Sequence, residues 1–367
     1  MYFVGLDFYT YVTREIIKTD VESRGQLLKS QAALSGVLYI VLCPFAIYFL
    51  YQSGWPGHLV WWFFPILILE HFNQEMSRFL VAMSEQITAS VILFVRQGSW
   101  AMVIVALMTW NTPSRHLDTV MTLWAIAGLA AAAIGIWKLR QLRMGGWEAS
   151  ANWGWIKKGI RVSLAFLIAT LALRGMQTFD RYWLESLGGI EMVGAYVILL
   201  GVASTLLAFL DAGVFAFAYP ALINFSHQQN HAAATAKVRQ MLMQTLVLSA
   251  AFALLSWLAL PYLLRWIGNP IYLAAQHWYP WLLAAMVLNA LSMVAHYALY
   301  ARGQDRHIIY SHIGALVVFV VAVLALRGTQ EAFAVPLGLN LAFAFILLWK
   351  TGAYYLQNSE SEIIKKT

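Results

Sequence analysis

Ten runs of about 20 mostly apolar residues occupy most of this 367-residue chain, at 31–51, 59–80, 91–110, 118–137, 159–180, 193–217, 241–264, 277–300, 308–326 and 333–350. A helix needs about 20 such residues to cross the hydrocarbon of a bilayer. No water is available there to satisfy a bare backbone, so each run is expected to be helical. An earlier, shorter stretch, 2–17 (YFVGLDFYTYVTREII), reads as the second helix of a longer protein whose first helix is missing. The expectation is an all-α polytopic membrane protein with about 11 transmembrane segments. Composition agrees, with 61% hydrophobic and 11% charged residues, against about 25% charged in soluble domains.

The basic residues orient the runs. Arg14, Lys18, Arg24, Lys29, Arg78, Arg96, Lys138, Arg140, Arg143, Lys157, Lys158, Arg161, Lys237, Arg239, Arg302, Arg306, Lys350, Lys365 and Lys366 fall in loops and helix ends of one side. Arg115, Arg174, Arg181, Arg265 and Arg327 fall on the other. Nineteen against five is a positive-inside asymmetry that puts the 18–30 loop and the C-terminus in the cytoplasm. The same distribution accounts for the net charge of +7 without invoking nucleic acid. Outward loops are short. The longest inward loop, Lys138–Lys158, is basic and rich in Gly and Trp, and reads as a linker between two helical lobes, 1–158 and 159–367. Transporters use paired lobes that rock about a central site. Trp61, Trp62, Trp110, Trp183, Trp278, Trp281 and Trp349 sit near span ends, where an interfacial belt is expected.

Polar residues inside the runs are the candidates for function, because lipid does not tolerate them. In SLAFLIATLALRGMQTFDR, residues 163–181, Thr170, Arg174, Gln177 and Arg181 lie within about 40° of the direction of Ser163 at 100° per residue. An arginine facing lipid at mid-depth costs at least about 2.5–3.5 kcal/mol, so this polar stripe is expected to line a watery cavity or meet buried partners. Asp180 stands beside Arg181, where an ion pair is expected. In LVWWFFPILILEHFNQEMSRFL (59–80), Glu70, Asn73, Gln74 and Ser77 share one face, and His71, Glu75 and Arg78 an adjoining row. Glu70 is either a titratable carboxylate on a wet face or part of an inward helix end. Glu75 and Arg78 have the spacing of a helical ion pair. Arg14, Arg96 and Arg161 have the positions of helix-end anchors. Asp211 is the only charge in 193–217; it is either a proton-carrying carboxylate or the partner of an arginine on a neighbouring helix. Glycines 194, 201 and 213 and Pro220 offer this helix places to bend. His296 and His312 read as packing residues.

The sequence has no Walker-type phosphate loop, nucleophile elbow or acidic metal pair. Its single cysteine, Cys43, excludes an internal disulfide. The HQQNH run at 227–231 lies in a polar loop without an acidic or cysteine companion. An enzyme, a metal and a cofactor are therefore not expected.

Four stretches resemble the bacterial polysaccharide-biosynthesis (O-antigen, or lipid-linked oligosaccharide) flippases of the multidrug/oligosaccharidyl-lipid/polysaccharide exporter superfamily. They are GLDFYTYVTREI (5–16), FNQEMSRFLVAMSEQITASVILFVRQGSW (72–100), FDRYWLESLGGIEMVGAYVILLGVAS (179–204) and YALYARGQDRHII (297–309). The most telling is the Asp-Arg followed by a Gly pair and Val-Gly-x-Tyr. The resemblance implies a two-lobed MATE/MOP-like fold in the inner membrane that flips undecaprenyl-diphosphate-linked repeat units for O-antigen lipopolysaccharide, capsule or exopolysaccharide. By that reading Arg14, Arg78, Arg174, Gln177 and Arg181 contact the diphosphate or sugars, and Glu70, Asp180 and Asp211 are the coupling carboxylates. A proton or sodium ion would drive the cycle, with membrane lipid and polysaccharide polymerase machinery as partners.

Two other classes fit less well. A multidrug or small-solute antiporter of the same superfamily would want acidic rather than cationic polar residues for cationic drugs. A glycan polymerase or ligase usually carries a large outer loop with catalytic arginines, and here the outer loops are short.

Overall fold

The computed structural model describes residues 2–111 and 114–364, with side chains from 4 to 356; Lys365 and Lys366, used above for orientation, lie outside the described residues. The chain is all-helical. A helical turn at Tyr2–Gly5 precedes α1 (Tyr9–Lys18), α2 (Arg24–Gln52) and α3 (Gly57–Ala82). Then come α4 (Gln86–Trp110), α5 (Leu117–Gln141), α6 (Trp153–Gly188), α7 (Ile190–His227) and α8 (His231–Ile267). The last three are α9 (Tyr279–Ala301), α10 (Asp305–Gln330) and α11 (Ala334–Ile364).

Among the described residues, eight stretches are long and apolar enough to cross a membrane, the last of them, Asp305–Leu356, spanning both α10 and α11. α3 adds a 26-residue helix whose Trp, Glu, Asn and Gln lower its mean hydropathy. Each of the ten apolar runs falls on one of these helices. The 2–17 stretch departs from expectation. Leu6 and Asp7 have φ of 48° and 50°, a left-handed conformation that side chains disfavour, and they break the stretch ahead of the ten-residue α1.

Local chemistry sets the ends. Asn230 caps α8 by accepting from the Ala233 N–H at 3.1 Å, and Gly268 closes it at φ 75°, a left-handed cap that a glycine adopts without strain. Two helices contain π-turns, α4 at Phe94–Ser99 and α7 at Asp211–Phe215. The second is where α7 leaves α-geometry, ahead of Pro220.

The fold divides into two compact units, Met1–Leu167 and Ile168–Thr367, with the boundary inside the continuous α6. The Lys138–Lys158 connection is therefore not a free linker. Lys29 Nζ donates to the carbonyls of Trp147 and Ala149 at 3.1 and 3.0 Å, and the Asn152 N–H donates to Ser30 Oγ at 2.9 Å. Its polar backbone is satisfied by α2, which holds it to the first unit.

The core of the first unit gathers Phe8, Tyr11 and Ile16 of the α1 region with Leu34, Met76, Leu80, Ile92 and Ala131. Small residues set the approach between its helices: Gly128 of α5 lies against Leu69 of α3, and Asn73 donates to the Gly128 carbonyl at 2.8 Å. The second unit packs Tyr196 and Leu199 of α7 with Leu264, Tyr279, Leu282, Phe319 and Phe343. There α10 and α11 run antiparallel, since Gly314 meets Phe345 while Phe319 and Val323 meet Gly338. Trp278 is buried in this core rather than standing in the aromatic belt; Trp61, Trp110, Trp281 and Trp349 are exposed. Ile40, Phe45, Leu255 and Leu258 are also exposed, as side chains that meet lipid should be.

Gly159 tests this packing. A Cβ there would stand 2.5 Å from ring carbons of Phe8 and Tyr11, whereas Gly36 has open space. Overpacking a core costs about 1–3 kcal/mol, so Gly159→Val should lower the melting temperature of the purified protein while Gly36→Val leaves it nearly unchanged. Equal effects of the two would contradict the packing described.

Candidate functional site

Four polar residues of α3 line a cavity in the first unit, while Asn73 of the adjoining row is buried against Gly128. Leu6 and Asp7 turn the chain back so that Gly5, Asp7 and Tyr9 face His71, Gln74, Glu75 and Arg78 across about 90 Å³. Consecutive non-glycine residues at positive φ are uncommon and gather at functional sites. Arg78 Nη1 donates to Glu75 Oε1 at 2.7 Å, and Glu75 Oε2 accepts from Gln31 Nε2 at 2.6 Å. The guanidinium carbon lies 3.5 Å from the Tyr9 ring centroid. An arginine stacked on an aromatic and tied by one edge is oriented, and it can offer other N–H groups to an anion in fork geometry. Its side chain retains 27% exposure.

His71 is the deepest member, 5% exposed. Its Nδ1 pairs with the Tyr39 hydroxyl at 2.9 Å, while Nε2 has no hydrogen-bond partner among the described residues. That nitrogen stands 3.3 Å from where a Cβ of residue 5 would be, so glycine at this position makes its approach possible.

Glu70, one helical turn away, is not on the wet face. Its Oε1 accepts from Trp124 Nε1 at 2.9 Å, and its Oε2 lies 3.6 Å from Arg96 Nη1. Arg96 also donates to the Glu70 carbonyl at 3.2 Å and sits on the π-turn of α4, buried at 5% exposure. Trp100 stacks on Trp124 with centroids 5.2 Å apart. Arg96 is therefore no surface anchor, and Glu70 is its ion-pair partner. Helical spacing does not reveal which helix stands opposite, so the sequence gives no sign of this pairing and the helix-end reading of Arg96 is corrected here.

The other candidates do not join this cavity. Arg14, 9% exposed, holds its guanidinium 6.0 Å from the Phe166 ring centroid. In the second unit, Ala169, Ala172, Met176, Asp180 and Leu184 form the buried face of α6. Thr170, Arg174, Gln177 and Arg181 lie on the opposite face; Arg174 and Arg181 are exposed, and Arg174 Nη1 donates to Gln177 Oε1 at 2.9 Å. Ser163, by contrast, is buried in the first unit, so the stripe is not open along its whole length.

Asp180 points into the core with 0% exposure, accepting from the Tyr196 hydroxyl at 2.6 Å and from the Arg181 backbone N–H at 2.7 Å. Among the described residues it makes no ion pair with the Arg181 side chain, contrary to expectation. A tyrosine hydroxyl and a backbone N–H supply its hydrogen bonds. Asp211 is exposed and begins the π-turn of α7; no arginine pairs with it among the described residues. π-turns in long helices are frequent at functional positions.

No known protein-family model matches the sequence, and no curated protein sequence matches it. The fold, in contrast, matches solved structures over nearly the whole chain. An outward-facing multidrug resistance MATE family transporter of the MOP superfamily aligns with a TM-score of 0.76 at 13% identity, covering 99% of this chain and 84% of the other. An inward-facing structure of a transporter described in the same words aligns at 0.67 and 14%, covering 99% and 87%. A mutant of the Vibrio cholerae MATE transporter VcmN aligns at 0.76 and 14%, covering 97% and 84%. At these identities the likeness is one of fold: the chain is an all-α, polytopic membrane protein with a MATE-like fold.

The Glu70–Arg96 pair makes a sharp expectation. Removing one partner of a buried ion pair costs about 3–5 kcal/mol because the other charge is left uncompensated. Arg96→Met should therefore depress the melting temperature strongly, and the Arg96→Met/Glu70→Gln double variant should recover part of that loss. A double variant less stable than Arg96→Met would sink the pairing.

Proposed function

We propose that this protein is a transporter that flips undecaprenyl-diphosphate-linked oligosaccharide units across a bacterial inner membrane by alternating access, with its C-terminus in the cytoplasm. Arg78 carries the reading. It is a cation held by Tyr9 and Glu75 on the wall of a polar cavity, within a helix that otherwise meets lipid and protein. Such a fixed guanidinium suits a diphosphate, whose charge must be matched away from bulk water. Arg174 and Arg181, exposed on one face of α6 with Gln177, extend the cationic character to a second helix. Arg14 is a weaker candidate because it is buried against Phe166.

The same distribution speaks against export of cationic drugs, the activity suggested by the wording of the multidrug resistance structures. Glu70 is tied to Arg96 and Trp124, and Asp180 is held by Tyr196. Of the three candidate carboxylates, only Asp211 is exposed. Arg174 and Arg181 are exposed where Glu70 and Asp180 are not.

The test is complementation of a flippase-deleted strain carrying this protein's own glycan cluster. A charge-assisted hydrogen bond is worth about 1.5–3 kcal/mol, so Arg78→Ala and Arg174→Ala, at matched expression, should each lower surface glycan by about tenfold or more. Rescue undiminished by either substitution would remove the arginines from the mechanism. No rescue by the wild type would overturn the flippase reading.

A further inference from the structure

The second unit buries a basic side chain that the substrate site does not use. Lys350 of α11 is 1% exposed. Its Nζ lies 3.2 Å from Nδ1 of His296 on α9 and 2.9 Å from Nε2 of His312 on α10. The two imidazoles stack at 5.9 Å with 12° between their planes. His296 also stacks on Tyr300 at 6.5 Å and meets Tyr297 edge-on at 5.4 Å. Three helices thus converge on one nitrogen.

These helices carry other charged groups. Arg302 lies over the Tyr354 ring at 4.7 Å, Asp305, Arg306 and His307 open α10, and Arg327 closes it. Among the described residues no carboxylate is within ion-pair distance of Lys350. A buried ammonium with no counter-ion is opposed by desolvation and favoured by whatever accepts its hydrogen bonds; here two imidazoles do so.

The donor inventory allows two states on these atoms. An ammonium has three N–H groups and no acceptor, so both imidazoles would be neutral, carrying their protons on His296 Nε2 and His312 Nδ1. His312 Nδ1 is buried with no hydrogen-bond partner among the described residues, so nothing locks that tautomer. With a neutral amine, Lys350 donates to one ring and accepts from the other after a tautomer change. The states differ by one proton and need no carboxylate and no cavity.

We propose that Lys350, His296 and His312 form a single-proton binding site and that it carries the coupling proton of transport; the second part rests on the transporter reading above. The site is tested by 15N NMR of the full chain in lipid, labelled at lysine Nζ and at the histidine rings. Between about pH 5 and about pH 9, the range that buried lysine and histidine can span, one lysine signal should pass from ammonium to amine. The rings of His296 and His312 should change at the same midpoint. That lysine signal should be missing from Lys350→Arg, which keeps the charge, as from Lys350→Met should the latter fold. A Lys350 signal constant across the range overturns the site.

Coupling is tested in vesicles with an imposed pH gradient and an undecaprenyl-diphosphate-linked glycan. Wild type should respond to the gradient, while Lys350→Arg and His312→Gln should lose that response yet retain exchange without a gradient. An unchanged response in both variants overturns the coupling role. Absence of translocation by the wild type overturns the flippase reading, and the NMR midpoint alone then decides the proton site.

Discussion

Lipid offers no hydrogen bonds, and the rest of this structure follows from that deficit. Every backbone N–H and C=O that crosses the hydrocarbon must be satisfied inside its own helix, which is why the apolar runs become helices. Where α-geometry is relaxed, at the π-turns beginning with Phe94 and Asp211, the chain stays helical on either side. Where helices must approach closely, glycine removes the obstacle, as at Gly128 and Gly159. The connection that cannot be helical, between Lys138 and Lys158, is tied down by Lys29 and Ser30 of α2.

The same deficit sorts the polar side chains. Some are paired or hydrogen-bonded inside a unit: Glu70 by Arg96 and Trp124, Asp180 by Tyr196 and a backbone N–H, Lys350 by two imidazoles. Others keep some exposure, with Arg78 on the wall of a cavity and Arg174, Arg181 and Asp211 at the surface of the second unit. The first group ties helices to one another within each unit; the second lies on a cavity wall or at the surface. A buried group without a partner would be expensive, so these pairings are conditions of folding as much as devices of function.

The cavity residues of α3 were legible because helical periodicity places His71, Glu75 and Arg78 on one row. The Arg174–Gln177–Arg181 face was legible for the same reason. Periodicity describes one helix at a time, however. It did not reveal that Asp7 and Tyr9 return to complete the cavity, since that depends on the left-handed turn at Leu6 and Asp7. It misjudged Arg96 and Lys350, both counted among helix-end cations, because position along a run says nothing of the neighbour across it. One signal for Lys350 was present: apolar and aromatic residues continue past it to Ala353, Tyr354 and Tyr355, so it lies within a run and not after one.

By itself the sequence determined that this chain is helical, crosses a membrane many times and carries charges where lipid forbids them, because those properties depend only on hydrophobicity along the chain. Tertiary structure alone decided which charges are buried against partners on other helices and which keep exposure. Glu70 was lost to Arg96 across a gap between α3 and α4, Asp180 turned toward Tyr196, and Lys350 met His296 and His312 from two other helices. Pairing at about 3 Å depends on the rotation and register of separate helices, and no single run of sequence contains that information.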